Sequence, residues 1–264
     1  MSDVTSAVLM GQAEEPSSPI GVFELPCGYL DSDGTLHTEV EMSEITGHQE
    51  DMMASRAVPP YKKMSMLLGQ CVKRIGTITD KGRLAMVVSD LTVGDRAYLL
   101  VALRRVTLGN ELPFEGKCPD CGKFNRYMVS LADLDVRPMS EPMKRVYDVT
   151  LPSGGGVRFH VMTGREEEAL GKTNMPDDQL TMALVARIDM LDGKPPTVRD
   201  LKSMNSRDRD FLRDQFDTVE GGLDMGVDAR CRLCGHDWSY DVDPGDQGFF
   251  FPSAALKRLK KKYS

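Results

Sequence analysis

What this sequence lacks narrows its roles before any motif is considered. No run of 18 apolar residues occurs, so no segment is expected to span a membrane. The N-terminus has no basic stretch leading into an apolar core, so no secretory leader is expected. Such a chain stays in a cytoplasm, or in a particle assembled there. Only four histidines are present, none in a catalytic-looking cluster, and HExxH, GxGxxG and GxxxxGK[ST] are all absent. No enzymatic activity is expected. Basic charge is not in excess either: the formal net charge is −7, which argues against broad nucleic-acid binding. Gly154-Gly155-Gly156 lies between two strand-like segments, not before a helix, and reads as a hairpin turn and not a phosphate cradle.

What is present is cysteine in a pattern. Four of the six cysteines form two CxxCG knuckles, Cys118-Pro119-Asp120-Cys121-Gly122 and Cys231-Arg232-Leu233-Cys234-Gly235, set 113 residues apart. At that offset residues 71–130 and 184–243 share 14 identities over 60 ungapped positions, where chance gives roughly 4. They include Val72/Val185, Arg74/Arg187, Ile75/Ile188, Lys81/Lys194, Asp95/Asp208, Arg96/Arg209, Leu99/Leu212 and Tyr127/Tyr240. Upstream, Thr46-Gly47 matches Thr163-Gly164 at an offset of 117, which places a four-residue indel between that motif and residue 71. Leu25-Pro26-Cys27-Gly28 and Leu151-Pro152-Ser153-Gly154 open the two units alike. The chain therefore reads as an internal duplication.

The expected fold is α+β, with duplicated units of β-hairpin, helices and CxxC zinc-knuckle hairpin clamped by one shared zinc-ribbon-like site. Four regions follow. Residues 1–20, rich in Ser, Ala, Glu and Pro, form a flexible arm. Residues 21–140 are the first repeat with knuckle 118–121, residues 141–246 the second with knuckle 231–234, and residues 247–264 a Phe-rich, basic tail. Alternation predicts a hairpin over 22–42 around Asp31-Ser32-Asp33-Gly34, and another over 146–161. Thr46 with Gln49 reads as a capping box. Helices are predicted over 61–75, 96–107 with Gly109 as the stop, 165–189, 200–216 and 254–263. Glu166-Glu167-Glu168 reads as an acidic helix start. Knuckle hairpins are predicted over 112–129 and 227–242.

Each CxxC turn sets two thiolates on one side of a tight loop, and two such turns supply the four ligands of a zinc tetrahedron. Cys118, Cys121, Cys231 and Cys234 are the predicted ligands of one structural zinc per chain, with no ligand position left open. His236 could replace one cysteine, but the thiolate set is complete without it. Free or reversibly oxidised thiols are the bland alternative; a redox CxxC belongs at a strand-to-helix junction, whereas both pairs here lie between strands. Cys27 and Cys71 have no cysteine counterpart in the partner unit and are expected in the core. Phe249, Phe250 and Phe251 suit either a core plug or a partner-docking peptide. The basic residues Lys257 to Lys262 suit a solvated or partner-docking tail. A zinc-ribbon nucleic-acid-binding accessory factor is the competing function, with Phe124, Tyr127, Trp238 and Tyr240 as the aromatics available to stack on bases.

The order of motifs also resembles a known family. The LP-G hairpin, ITGHQED, LTVGDRAYLLVALRRVTLGNELPFEGKCPDCG, then LPSGGGVRFHVMTGREEE and CRLCGHDWSYDVDP before a Phe-rich end are similar to the T4-type baseplate hub assembly family of contractile-tailed phages and phage-derived injection systems. The resemblance covers residues 20–252, and Cys118, Cys121, Cys231 and Cys234 match the knuckles of its members one for one. It implies a non-enzymatic protein made in the host bacterial cytoplasm. Such a protein acts on other baseplate proteins, hub or wedge subunits, as a permanent tail component or a transient helper, with no membrane and no nucleic acid among its partners.

Overall fold

The computed structural model describes residues 20–172, 178–245 and 247–251. The chain opens with the hairpin β1 (Ile20–Leu30) and β2 (Leu36–Ser43), turned at Asp31, whose carboxylate accepts the backbone N–H groups of Asp33 and Thr35. Thr46 precedes α1 (Gly47–Ala54), and Gln49 accepts from the Thr46 backbone N–H, the reach-back bond of a capping box. After Pro59, α2 (Pro60–Cys71) runs into β3 (Val72–Ile75), which pairs with β2. A tight turn, Ile75–Ile78, leads to α3 (Lys81–Asp90), capped by Asp80, and α4 (Val93–Leu108), capped by Thr92 and stopped at Gly109 with φ +84°. The first ribbon, β4 (Glu111–Lys117) and β5 (Phe124–Ser130), and the short β6 (Val136–Arg137) complete this half.

The second half follows the same order. Strands β7 (Val146–Thr150) and β8 (Gly156–His160) form a hairpin, followed by α5 (Gly164–Lys172) and α6 (Gln179–Val185), and β9 (Ile188–Leu191) pairs with β8. A tight turn at Leu191–Lys194 leads to α7 (Val198–Ser203) and α8 (Ser206–Val219), capped by Thr197 and Asn205. Strand β10 (Gly222–Leu223) pairs with β6, and the second ribbon is β11 (Gly226–Arg230) and β12 (Asp237–Asp241). The short α9 (Gln247–Phe250) ends the described chain. All the sheets are small and antiparallel, so the protein is a mixed α+β fold.

Several sequence expectations are corrected. The helix predicted over 61–75 stops at Cys71, because Val72–Ile75 completes the sheet beside β2. The helix predicted over 165–189 is in fact α5, α6 and strand β9. Helix α3 was not predicted at all. The flexible arm, except for Ile20 at the start of β1, and the basic helix over 254–263 lie outside the described residues.

The strand pairings also do not match the expected offsets. Met42 pairs with Val72 and Phe159 with Ile188; Val40 pairs with Ile75 and Val157 with Leu191. The two third strands thus correspond at an offset of 116, not 113, and Val185 closes α6 whereas Val72 opens β3. The length difference falls later: caps Asp80 and Thr92 are 12 residues apart, caps Thr197 and Asn205 only 8. The ten-residue α3 and the six-residue α7 differ by four residues, about one turn of helix.

Two cores form. The first gathers α2, α3, α4 and the β1–β3 sheet, and takes in Val242, Phe249 and Phe250 from the far end of the chain. The second gathers Val157, Phe159, Leu184, Ile188, Leu201, Leu212 and Phe216, and takes in Cys27 and Met139. Each core therefore borrows side chains from the other half. Between them the Leu91–Val93 segment bonds to Met162 and Gly164, and Arg96 pairs with Glu167 at 3.1 Å.

Candidate metal centre

Each ribbon presents its knuckle in the same way. In the first, Lys117 pairs with Phe124; Cys118 N–H donates to the Lys123 carbonyl and Gly122 N–H to the Cys118 carbonyl, both at 3.0 Å. In the second, Arg230 pairs with Asp237; Cys231 N–H donates to His236 at 2.8 Å and Gly235 N–H to Cys231 at 2.9 Å. Gly122 and Gly235 take φ of +67° and +78°, which a side chain would oppose. The CxxCG spacing thus builds a turn whose two thiols point the same way.

The ribbons then meet knuckle to knuckle. Cys118 Sγ lies 3.7 Å from Cys234 Sγ, Cys121 Sγ lies 3.7 Å from Cys231 Sγ, and all four sulfurs are within 4.8 Å of one another. A disulfide needs about 2.05 Å between sulfurs. A zinc tetrahedron with bonds of about 2.3 Å has sulfur–sulfur edges of about 3.8 Å. The cluster is therefore spaced for a four-thiolate ion and not for disulfides. His236 is not part of it.

The thiols are electrostatically unequal. The N–H groups of Cys234 and Leu233, with the Asn125 side chain, lower the Cys231 thiol to about 6. His236 N–H stabilises the Cys234 thiolate too, but lost hydration and the crowding of the Cys231, Cys121 and Cys118 thiols push it up to about 12. Thiols this close cannot all ionise unless a cation sits between them.

Aromatics hold the ribbons together. Phe114 stacks on Tyr240 with ring centroids 3.6 Å apart and meets Tyr127 at 5.9 Å and Trp238 at 6.0 Å. Tyr127 also donates its hydroxyl to the Arg230 carbonyl across the interface at 2.9 Å. Three of the aromatics considered for base stacking are thus used within the protein; Phe124 alone of the four is largely exposed.

Sequence reasoning missed Asn125. It is 4% exposed, and its side chain bridges the knuckles: Nδ2 donates to Cys231 Sγ at 3.4 Å and to the Lys123 carbonyl at 3.1 Å, while Oδ1 accepts Arg232 N–H at 3.0 Å. A signal existed. Alternation along β5 turns Asn125 inward with Val129, and a polar residue on the buried phase beside a knuckle calls for a partner.

The Phe triplet is elsewhere. Phe249 and Phe250 are 3% and 4% exposed within the first core, and Arg104 lies over the Phe249 ring at 6.0 Å. Of the two roles expected for the triplet, core plug and docking peptide, this burial favours the plug for these two, because α9 folds back on α4. Phe251 is only partly buried. Cys27 and Cys71 are buried as expected, and desolvation pushes their thiols up to about 12 and about 11.

Fold and cluster together define a mixed α+β protein that brings two hairpin knuckles into one metal-compatible four-cysteine site. The chain belongs to the T4 bacteriophage base plate protein family, whose model matches residues 35–250. No curated protein and no solved structure matches it.

Proposed function

We propose that this protein is a non-enzymatic structural or assembly component of a contractile-tail baseplate, in which one zinc held by Cys118, Cys121, Cys231 and Cys234 clamps two duplicated halves into a scaffold. The observation that carries this reading is the 3.7 Å cross-knuckle spacing of the thiols within a baseplate-family chain. All four ligand positions are filled by thiolates, so the ion closes structure and leaves no seat for a substrate. Its binding energy is folding energy, shared by both ribbons.

The duplication is supported by repeated interactions as well as by identities. Asp95 and Asp208 each accept a backbone N–H from the opening Leu-Pro motif of their own half, from Cys27 at 2.8 Å and Ser153 at 3.1 Å. Arg96 donates to the carbonyl of Val88 and to the hydroxyl of Ser65; Arg209 donates to the carbonyl of Leu201 and the hydroxyl of Thr181. The halves are residues 21–140 and 141–246, flanked by the arm and the tail. Their partners are other baseplate proteins, hub or wedge subunits, met in the host cytoplasm and in the virion tail. Among the described residues no helix is long and apolar enough to cross a membrane.

Elemental analysis with native mass spectrometry tests the centre: one zinc per chain is expected. Two zincs, or half a zinc per chain in dimers, sinks the shared site. Co-sedimentation with assembling baseplates tests the role. Tight binding to random DNA or RNA at low salt, without baseplate association, would replace it with the nucleic-acid reading.

A further inference from the structure

The cluster is not symmetric, and the asymmetry lies in one side chain. Asn125 belongs to the first ribbon, yet two of its three hydrogen bonds reach the second knuckle, at Cys231 Sγ and Arg232 N–H. The third holds the Lys123 carbonyl, on the residue whose carbonyl also receives Cys118 N–H. One amide therefore spans both knuckles. Position 238, its counterpart at the repeat offset of 113, is Trp238, and the buried indole N–H there has no partner among the described residues. The first knuckle thus receives no equivalent brace from the second ribbon.

We propose that Asn125 is the positioning residue of the metal centre: it docks the two knuckles in register and orients the Cys231 sulfur before the ion arrives. This rests on the four-cysteine reading above. An amide suits the task because it donates to sulfur and accepts from backbone with no charge of its own. A carboxylate there would repel the thiolates and lose the N–H donor. A hydrogen bond to a ligand sulfur fixes the direction of its lone pairs, and such outer partners commonly carry about 10–100-fold in metal affinity. Asn125 is 4% exposed, so water cannot readily take its place.

The test compares full-length wild type with Asn125→Ala and Asn125→Asp. Zinc affinity is measured by competition with a chromophoric chelator, and the thiolate-to-cobalt charge-transfer band is recorded after loading with cobalt(II) alone. Asn125→Ala is expected to lose roughly 10–100-fold in zinc affinity and to shift the cobalt band, with Asn125→Asp losing more. A merely structural role would lower thermal stability of the loaded protein and leave the cobalt band in place. Wild-type affinity and an unmoved band in Asn125→Ala, with cobalt bound by both proteins, would overturn the role of Asn125 alone. Failure of the wild type to bind either metal would overturn the metal centre itself. Should Asn125→Ala fail to fold in excess zinc, Asn125→Asp, nearly isosteric, decides; if both fail to fold, Asn125 is a scaffold residue and the proposal falls.

Discussion

Asp95, at the start of α4, accepts the backbone N–H of Cys27 at 2.8 Å across 68 residues of sequence. The carboxylate is fully buried, and its second oxygen has no partner among the described residues. Desolvation raises it to about 6, against the pull of the Cys27 N–H and the Thr92 hydroxyl. The folded state therefore holds this proton more tightly than the unfolded chain. The resulting stability is fully present below about pH 4 and is lost as pH rises through about 6. Asp95→Asn, which keeps an acceptor for Cys27, should remove this part of the decline. Urea unfolding of both proteins at pH 5 and pH 7 checks it. An equal decline in wild type and variant would show that Asp95 does not titrate in this range.

Removing the ion should loosen both halves together. Cys231→Ser removes one of the four clustered thiols, and under the proposed zinc clamp both ribbons then lose their shared anchor. Limited proteolysis is expected to open sites before residue 140 as well as after it. Cleavage confined to the second half would mean that each half stands alone.

Two glycines should respond in opposite directions. A Cβ on Gly94 would lie 2.0 Å from the Gly221 carbonyl oxygen, a backbone atom that cannot step aside. Gly94→Ala is expected to cost about 1–3 kcal/mol or more. Gly69 lies within α2 with nothing within 4 Å of the added carbon. Gly69→Ala should stabilise by about 0.5–1 kcal/mol. Denaturant midpoints of the two variants measure the contrast.

Phe249→Ala removes a ring that is 3% exposed and should cost about 3–5 kcal/mol. Truncation before residue 249 is expected to lower thermal stability sharply in a protein still loaded with metal. Retention of wild-type stability by the truncated protein would favour the docking peptide, the other of the two roles expected of the triplet.

Features set by neighbouring residues were legible in the sequence. The knuckles, the Asp31 turn, the Thr46–Gln49 box and the Gly109 stop each depend on a few adjacent positions. The thiol cluster was legible because two CxxC turns have few other ways to satisfy their sulfurs. Strands β3 and β9 were not legible, since each follows a helix almost without a break and becomes a strand only by pairing with a hairpin far upstream. The identities of Val72, Arg74 and Ile75 with Val185, Arg187 and Ile188 at an offset of 113 concealed the offset of 116 at which β3 and β9 pair with their hairpins. Phe249 and Phe250 were ambiguous because nothing near them in sequence announces α4 as their partner.

The exchange of side chains between the cores has a consequence for how the protein is made. Chains are synthesised from the N-terminus, and domains commonly fold as they emerge. The first core cannot close in that order, because Val242, Phe249 and Phe250 belong to it. Until about residue 250 has left the ribosome, the first half has an open hydrophobic seat, and until residue 234 has left it only two of the four clustered cysteines. A prematurely terminated product lacks the last plug and, if shorter still, the second pair of thiols. Closure of the first core thus waits for the last described helix of the chain.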